Sequence, residues 1–253
     1  MFSNAIVLVP SPSIIDGLTS SELGKPDYPK ALEQHLKYIV TLEQLGLRVK
    51  ILEPNDKYPD STFIEDVALC TPVCAIVTNP GAPSRQGETE GIKQILNEFY
   101  GIIEEINSPG TLEGGDIMKA GDLYFIGISS RTNLAGAEQV KKILNKYEMQ
   151  CTTIPLEKML HLKSGVSYLE NNNLLVAGEF AGNKEFAKFN RIPVKPEELY
   201  AANSLWINDK VIVPAGFPDT REKIEEAGYE TIVLDVSEFR KVDGGLSCLS
   251  LRF

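Results

Sequence analysis

Hydrophobic and polar positions along this chain repeat one pattern. Over residues 37–54, apolar side chains recur at helical spacing as far as Gly46 and then alternate with polar ones, which predicts a helix, a turn and a strand. The same change of period occurs over residues 92–109, 137–156 and 220–236, with a weaker version over 185–194. Between these units lie short strand-like segments at 63–69, 112–118, 160–169, 201–207 and 243–249, their starts 41 to 49 residues apart. With an N-terminal strand at 5–10, the chain is expected to hold about five α/β modules. Periods of roughly 20–50 residues mark solenoids and propellers, and no end module carries the polar outer face of a solenoid cap. The expected architecture is one α/β domain, residues 1–253, with its modules arranged as a closed ring. In such a ring, equivalent positions such as Asp66, Glu113, His161 and Cys248 converge on the axis. Two turn-rich stretches break the pattern. Residues 11–29 are long enough for a lid, and residues 181–199 read as surface.

Composition narrows the function. At 253 residues and 43% hydrophobic the chain can build a substantial core. Its 25 Lys and Arg against 35 Asp and Glu give a net charge of −10, which argues against a nucleic-acid partner. That balance is compatible with a small cationic substrate. Four scattered cysteines (Cys70, Cys74, Cys151, Cys248) do not make a disulfide framework. The first ten residues lack a basic leader region and read as a strand. No stretch approaches the roughly 18 apolar residues of a membrane span. A reducing, cytoplasmic setting with no membrane partner is expected.

The candidate chemistry is sparse. Cys248 follows the pair Gly244-Gly245, and the chain has only two histidines, His35 and His161. A thiol with a single plausible base suggests nucleophilic catalysis, although Cys248 alone reads more readily as a small buried hydrophobe. His161 lies in Leu-His-Leu-Lys-Ser on an expected strand, and His35 sits on a polar helix as a surface or packing residue. Glu65 and Asp66 interrupt an apolar segment, and Glu113 and Asp116 bracket Gly114-Gly115. Carboxylates in such settings need cations or hydrogen bonds. They are either internal salt bridges or a pocket for a cation. Arg85 and Arg131 are each suited to hold a carboxylate through two parallel hydrogen bonds. The glycine pairs fit neither phosphate-loop nor dinucleotide spacing. Cys70 and Cys74 have no second pair at zinc-finger spacing.

Six segments together resemble the dimethylarginine dimethylaminohydrolases of the guanidine-modifying, or pentein, superfamily. They are Pro-Asp-Ser-Thr-Phe-Ile-Glu-Asp-Val-Ala from Pro59, Asn-Pro-Gly-Ala-Pro-Ser-Arg from Asn79, Leu-Glu-Gly-Gly-Asp from Leu112, Ser-Arg-Thr-Asn from Ser130, Leu-His-Leu-Lys-Ser from Leu160, and Lys-Val-Asp-Gly-Gly-Leu-Ser-Cys from Lys241. The resemblance implies a five-bladed α/β propeller with a central active site. It implies Cys248 as nucleophile, His161 as general acid and base, and Glu113 as the carboxylate that orients the histidine or binds the substrate. Asp66 with Glu65 would hold the substrate guanidinium, Arg85 and Arg131 its α-carboxylate, and Asp60 with the Leu18 backbone its amino end. Phe63, Val242 and Asp243 would complete the binding set. The substrate class is a small guanidino amino acid, with no metal or organic cofactor, and a homodimer is compatible with the sequence. The expected reaction is hydrolysis of an Nω-methylated arginine to citrulline. Arginine deiminase or amidinotransferase activity, or a non-catalytic binding protein of the same fold, are the competing readings.

Overall fold

One strand pattern, used five times, accounts for every sheet in the computed structural model, which describes residues 1–253. A short strand pairs antiparallel with a central strand. The chain then crosses, usually through a helix, to a third strand that pairs parallel with the central one. Thus β1 (Asn4–Leu8) leads through α1 (Tyr28–Gln44) to β2 (Arg48–Leu52), in parallel register from Asn4↔Arg48 to Leu8↔Leu52. Next come β3 (Ala68–Cys70), β4 (Ala75–Val77), α2 (Ile92–Leu96) and β5 (Ile103–Glu105). The third module is β6 (Ile117–Ala120), β7 (Leu123–Ile128), α3 (Leu134–Lys146) and β8 (Gln150–Pro155). The fourth is β9 (Val166–Tyr168), β10 (Asn173–Val176) and β11 (Asn190–Pro193). The fifth is β12 (Leu205–Ile207), β13 (Lys210–Pro214), α4 (Pro218–Glu226) and β14 (Glu230–Leu234). After a short α5 (Ser237–Arg240), the last strand β15 (Leu251–Arg252) pairs antiparallel with β1, so the first module is completed by the chain's end.

The modules fall into two compact units. One comprises Met1–Ile64 and Asn203–Phe253 and holds the sheets β15-β1-β2 and β12-β13-β14; the other, Glu65–Ala202, holds the remaining three. Local chemistry explains the element ends. In α1, Asp27 accepts the Lys30 N–H at 2.9 Å as N-cap, and Pro29 fits the first turn. The helix stops before Gly46, whose φ of +89° turns the chain into β2. Asn133 caps α3 by accepting the Gly136 N–H at 2.8 Å. The weak helical pattern at 185–194 becomes a 3-10 turn, Lys184–Phe186, and then β11. There Asn183 accepts the N–H of Glu185 at 2.9 Å, a local bond that competes with helix formation. This turn buries Phe186, which packs with Phe189 against Phe125 at centroid distances of 5.3 and 5.8 Å.

A second difference matters more for function. The motif residues expected inside strands lie instead on or, as with Glu113 and His161, directly before 3-10 turns that precede the first strand of each module. These turns are Ile64–Val67, Gly114–Asp116, Leu162–Ser164, Pro196–Ala202 and Ser247–Leu249. A strand would alternate these side chains between opposite faces. The turn instead collects consecutive polar groups while bringing backbones together. A Cβ on Gly114 would sit 2.0 Å from the Glu65 carbonyl oxygen, which is why that approach requires glycine.

Truncating Phe125, which is fully buried, is expected to cost about 3–5 kcal/mol. Urea unfolding of Phe125→Ala checks this, with Leu134→Ala, which is 71% exposed, as the near-neutral control.

Candidate active site

The unit Glu65–Ala202 gathers a buried charged cluster around Glu113, whose side chain has no solvent exposure. Glu113 Oε2 lies 2.7 Å from His161 Nε2. Its Oε1 accepts the backbone N–H groups of Gly81 at 3.0 Å and Ala82 at 3.3 Å, and Arg131 Nη1 at 3.4 Å. Burial pushes the Glu113 carboxyl up, but the hydrogen bond and charge of His161, with Arg85 and Arg131, outweigh it and hold Glu113 at about 2. Burial likewise opposes the His161 charge, yet the carboxylates of Asp66, Asp116 and Glu113 prevail and raise His161 to about 9. The pair therefore sits as carboxylate and imidazolium. Gly115 makes room for the ring, because a Cβ there would approach His161 Cγ to 2.8 Å.

Asp66, Glu113 and His161 each bring one polar atom within 4.8 Å of the others'. Asp66 Oδ1 accepts the Gly115 N–H at 2.8 Å, and Oδ2 pairs with Arg85 Nη1 at 2.7 Å. Arg85 is itself buried and turns its Nε and Nη2 to the Glu88 carboxylate, at 3.0 and 2.8 Å. Glu65 pairs with Lys163 Nζ at 2.6 Å. Asp66 and Glu65 thus each already face a protein cation.

The remaining candidates belong to the other unit. Cys248 lies on the turn Ser247–Leu249, half-buried, and accepts a hydrogen bond at Sγ from the Gly245 N–H at 3.4 Å. Asn203 braces this turn. Its amide donates to Ser247 Oγ at 3.0 Å and its carbonyl accepts the Ser247 N–H at 2.9 Å. Phe63 packs where a Gly244 Cβ would fall, 2.1 Å from its ring. Asp60 Oδ1 accepts the Leu18 N–H at 3.0 Å. Asp243, at a φ of +57°, accepts the N–H and hydroxyl of Ser20 at 2.5 and 3.0 Å. Val242 is buried beneath this loop, where a Gly17 Cβ would lie 3.1 Å from its Cγ1. None of the four cysteines is in a disulfide.

Comparison with known proteins interprets this geometry. A model of the family "N,N dimethylarginine dimethylhydrolase, eukaryotic" matches residues 24–182. An N(G),N(G)-dimethylarginine dimethylaminohydrolase from Pseudomonas aeruginosa is 54% identical over 254 residues, covering 100% of both chains. The chain belongs to this family. A second such enzyme, from Streptomyces coelicolor, is 34% identical and spans 98% of the chain and 96% of its own length. The solved structure of the Pseudomonas aeruginosa protein, a cysteine-to-serine mutant complexed with citrulline, superposes with a TM-score of 0.99 over 100% of both chains. The N-terminal domain of ArgZ, an arginine dihydrolase from cyanobacteria, reaches 0.89 at 21% identity and shares the fold. The fold is thus the α/β pentein fold, with its five small sheets. No helix is long and apolar enough to cross a membrane.

The structure brings Glu65, Asp66, Arg85, Glu113, Arg131 and His161 together in one unit, and Leu18, Asp60, Phe63, Val242, Asp243 and Cys248 in the other. His35 stays apart as a packing residue, buried beside Phe239 and lowered by that burial to about 4. Sequence reasoning passed over Glu88, Lys163 and Asn203. Lys163 stood inside the Leu-His-Leu-Lys-Ser motif and Glu88 three residues after Arg85, whereas Asn203 gave no local signal.

The Glu113–His161 pair makes stability depend on pH. His161, raised from 6.5 to about 9, contributes stability that is complete below 6.5 and lost as pH rises through 9. Glu113, lowered from 4.5 to about 2, contributes stability present above 4.5 and lost as pH falls through 2. Wild-type unfolding free energy should fall between pH 6.5 and 9 by up to about 1.4 kcal/mol per pH unit. In His161→Gln that slope should vanish, as denaturant titrations across the range will show.

Proposed function

We propose that this chain hydrolyses Nω-methylated L-arginine to L-citrulline and a methylamine through a covalent intermediate on Cys248, with residues 1–253 acting as one catalytic domain. The observation that carries this reading is the buried carboxylate–imidazolium pair of Glu113 and His161, in a chain 54% identical end to end to a dimethylarginine dimethylaminohydrolase. Support for the covalent route comes from a solved relative, a dimethylarginine dimethylaminohydrolase adduct with S-methyl-L-thiocitrulline, with a TM-score of 0.98.

The chemistry assigns the roles. A guanidinium carbon is a poor electrophile, since three nitrogens share its charge, so the enzyme must fix it and supply a strong nucleophile. Asp66 and Glu65 hold the guanidinium. Arg85 and Arg131 take the substrate α-carboxylate, and Asp60 with the Leu18 loop takes the amino end. Phe63, Val242 and Asp243 line the binding region. The substrate's positive charge favours the Cys248 thiolate, which attacks the central carbon. His161, as imidazolium, protonates the departing dimethylamine, leaving an S-alkylthiouronium on Cys248. Neutral His161 then takes a proton from water, and the hydroxide adds to the same carbon. Collapse of that adduct breaks the carbon–sulfur bond and releases thiolate and citrulline, the hydroxyl proton of the adduct passing to the departed amine or solvent. Proton transfer and covalent catalysis by side chains suffice for each step. A reducing, cytoplasmic setting suits a catalytic thiol.

Incubation with asymmetric dimethylarginine should yield citrulline and dimethylamine in equal amounts, by ureido colorimetry and mass spectrometry. Cys248→Ser should abolish turnover, and His161→Gln should lower kcat by about 10²–10⁴-fold. Full turnover by Cys248→Ser would sink the mechanism, and a strong kcat/KM preference for unmethylated arginine would replace the substrate.

A further inference from the structure

Asp116 is buried without solvent exposure, and the reaction above gives it no role. Its surroundings are built from donors. Oδ1 accepts the Leu162 N–H at 3.0 Å, and Oδ2 lies 2.6 Å from Ser129 Oγ. Ser129 Oγ also accepts the N–H groups of Arg131 at 3.0 Å and Thr132 at 3.1 Å, which occupies both its lone pairs. Its proton must therefore point to Asp116, and that oxygen must accept. The nearby Thr132 hydroxyl also favours the ionised carboxylate, and its oxygen accepts the Glu113 N–H at 3.2 Å. Burial raises the Asp116 carboxyl above its ordinary value, and the charge of His161 with these hydrogen bonds offsets only part of that push. A site supplying only donors selects the ionised form.

The Leu162 N–H belongs to the peptide whose carbonyl is that of His161, and this carbonyl accepts the Ser164 N–H at 3.1 Å. That peptide is fixed at both ends, and Asp116 holds one of them. Space for the carboxylate is reserved on β7, where a Gly127 Cβ would meet Asp116 Oδ1 at 2.9 Å.

We propose that Asp116 is a positioning residue for His161: its ionised carboxylate clamps the His161–Leu162 peptide and, through Ser129 and Thr132, ties it to the turn carrying Arg131 and to Glu113. The inference rests on the reaction proposed above. There Asp116 keeps His161 aligned and protonated until the amine departs, without touching substrate. The other ionisable groups bearing on His161 are Asp66 and Glu113, with Arg85 and Arg131 acting through Glu113 and Lys163 engaged by Glu65. Asp116 differs from Asp66 and Glu113 in gripping the backbone that joins His161 to the turn Leu162–Ser164.

The test is Asp116→Asn, which preserves volume but removes the charge and one acceptor. In substrate-free protein labelled with ¹⁵N-histidine, the His161 signal is assigned by its absence from His161→Gln, since only two histidines exist. Its titration midpoint should fall by about one pH unit or more. The alkaline limb of kcat should move to lower pH by a similar amount, and kcat should drop at least about tenfold with a smaller change in KM. An unmoved midpoint with an unchanged pH profile overturns the proposal. If Asp116→Asn does not fold, Ser129→Ala is used, which keeps the carboxylate but strips one donor. It should move the acid limb of kcat to higher pH, and a profile superposing on wild type overturns the proposal. The titration needs no turnover. A shifted midpoint in a protein inactive on methylarginines supports the clamp and removes the reaction, whereas an unmoved midpoint with normal turnover does the reverse.

Discussion

A carboxylate with no exposure to water has to be matched by its surroundings, and Glu113 sets that condition for the unit around it. Burying an unmatched charge costs several kcal/mol, so Glu113 is met by two backbone amides, the Arg131 guanidinium and the His161 imidazolium. Each partner imposes a further demand. The amides of Gly81 and Ala82 reach the carboxylate only if their loop lies against the Arg131 turn, and a Gly81 Cβ would fall 2.2 Å from the Arg131 carbonyl oxygen. The imidazole reaches it only across Gly115. Gly81 and Gly115 in these motifs follow from bringing backbone up to a buried charge and its partners.

The repeat explains how one such centre can be assembled from distant sequence. Each module begins with a 3-10 turn before its first strand, and the turns at 64–67, 114–116 and 162–164 carry or adjoin Asp66, Glu113 and His161. The turn at 247–249 carries Cys248. The turn at 196–202 carries no reactive group, but it ends beside Asn203, which holds the Cys248 turn by two hydrogen bonds. A single backbone device thus places the candidate reactive groups in four modules and a supporting residue beside the fifth.

The module pattern was legible because helix and strand periods differ so strongly, and α1 with β2, or α3 with β8, lie where the periodicity put them. The reactive turns were misread as strands because two or three apolar residues beside a charged one look the same in either state. Only the neighbouring backbone, such as the Glu65 carbonyl against Gly114, decides between them. Cys248, His161, Glu113 and Asp66 stood out as polar or reactive groups in apolar settings. Their partners did not, because a residue such as Glu88 or Asn203 becomes significant only through contacts that are set by tertiary structure.

Counting the charges around Glu113 connects this geometry to the reaction. Five acidic side chains (Glu65, Asp66, Glu88, Glu113 and Asp116) face four basic ones (Arg85, Arg131, Lys163 and His161). The acidic excess suits one further cation, which a guanidinium supplies. The protons are arranged to match. In the proposed reaction His161, at about 9, begins as the acid that the departing amine requires, yet the second half requires a base. No other group need supply it, because loss of the proton to the amine creates it. Glu113, held at about 2, favours the imidazolium without competing for its proton. The same histidine can therefore serve both proposed half-reactions in order, provided its orientation survives the change of charge, and the proposed Asp116 clamp would act on that orientation where a ring contact alone would not.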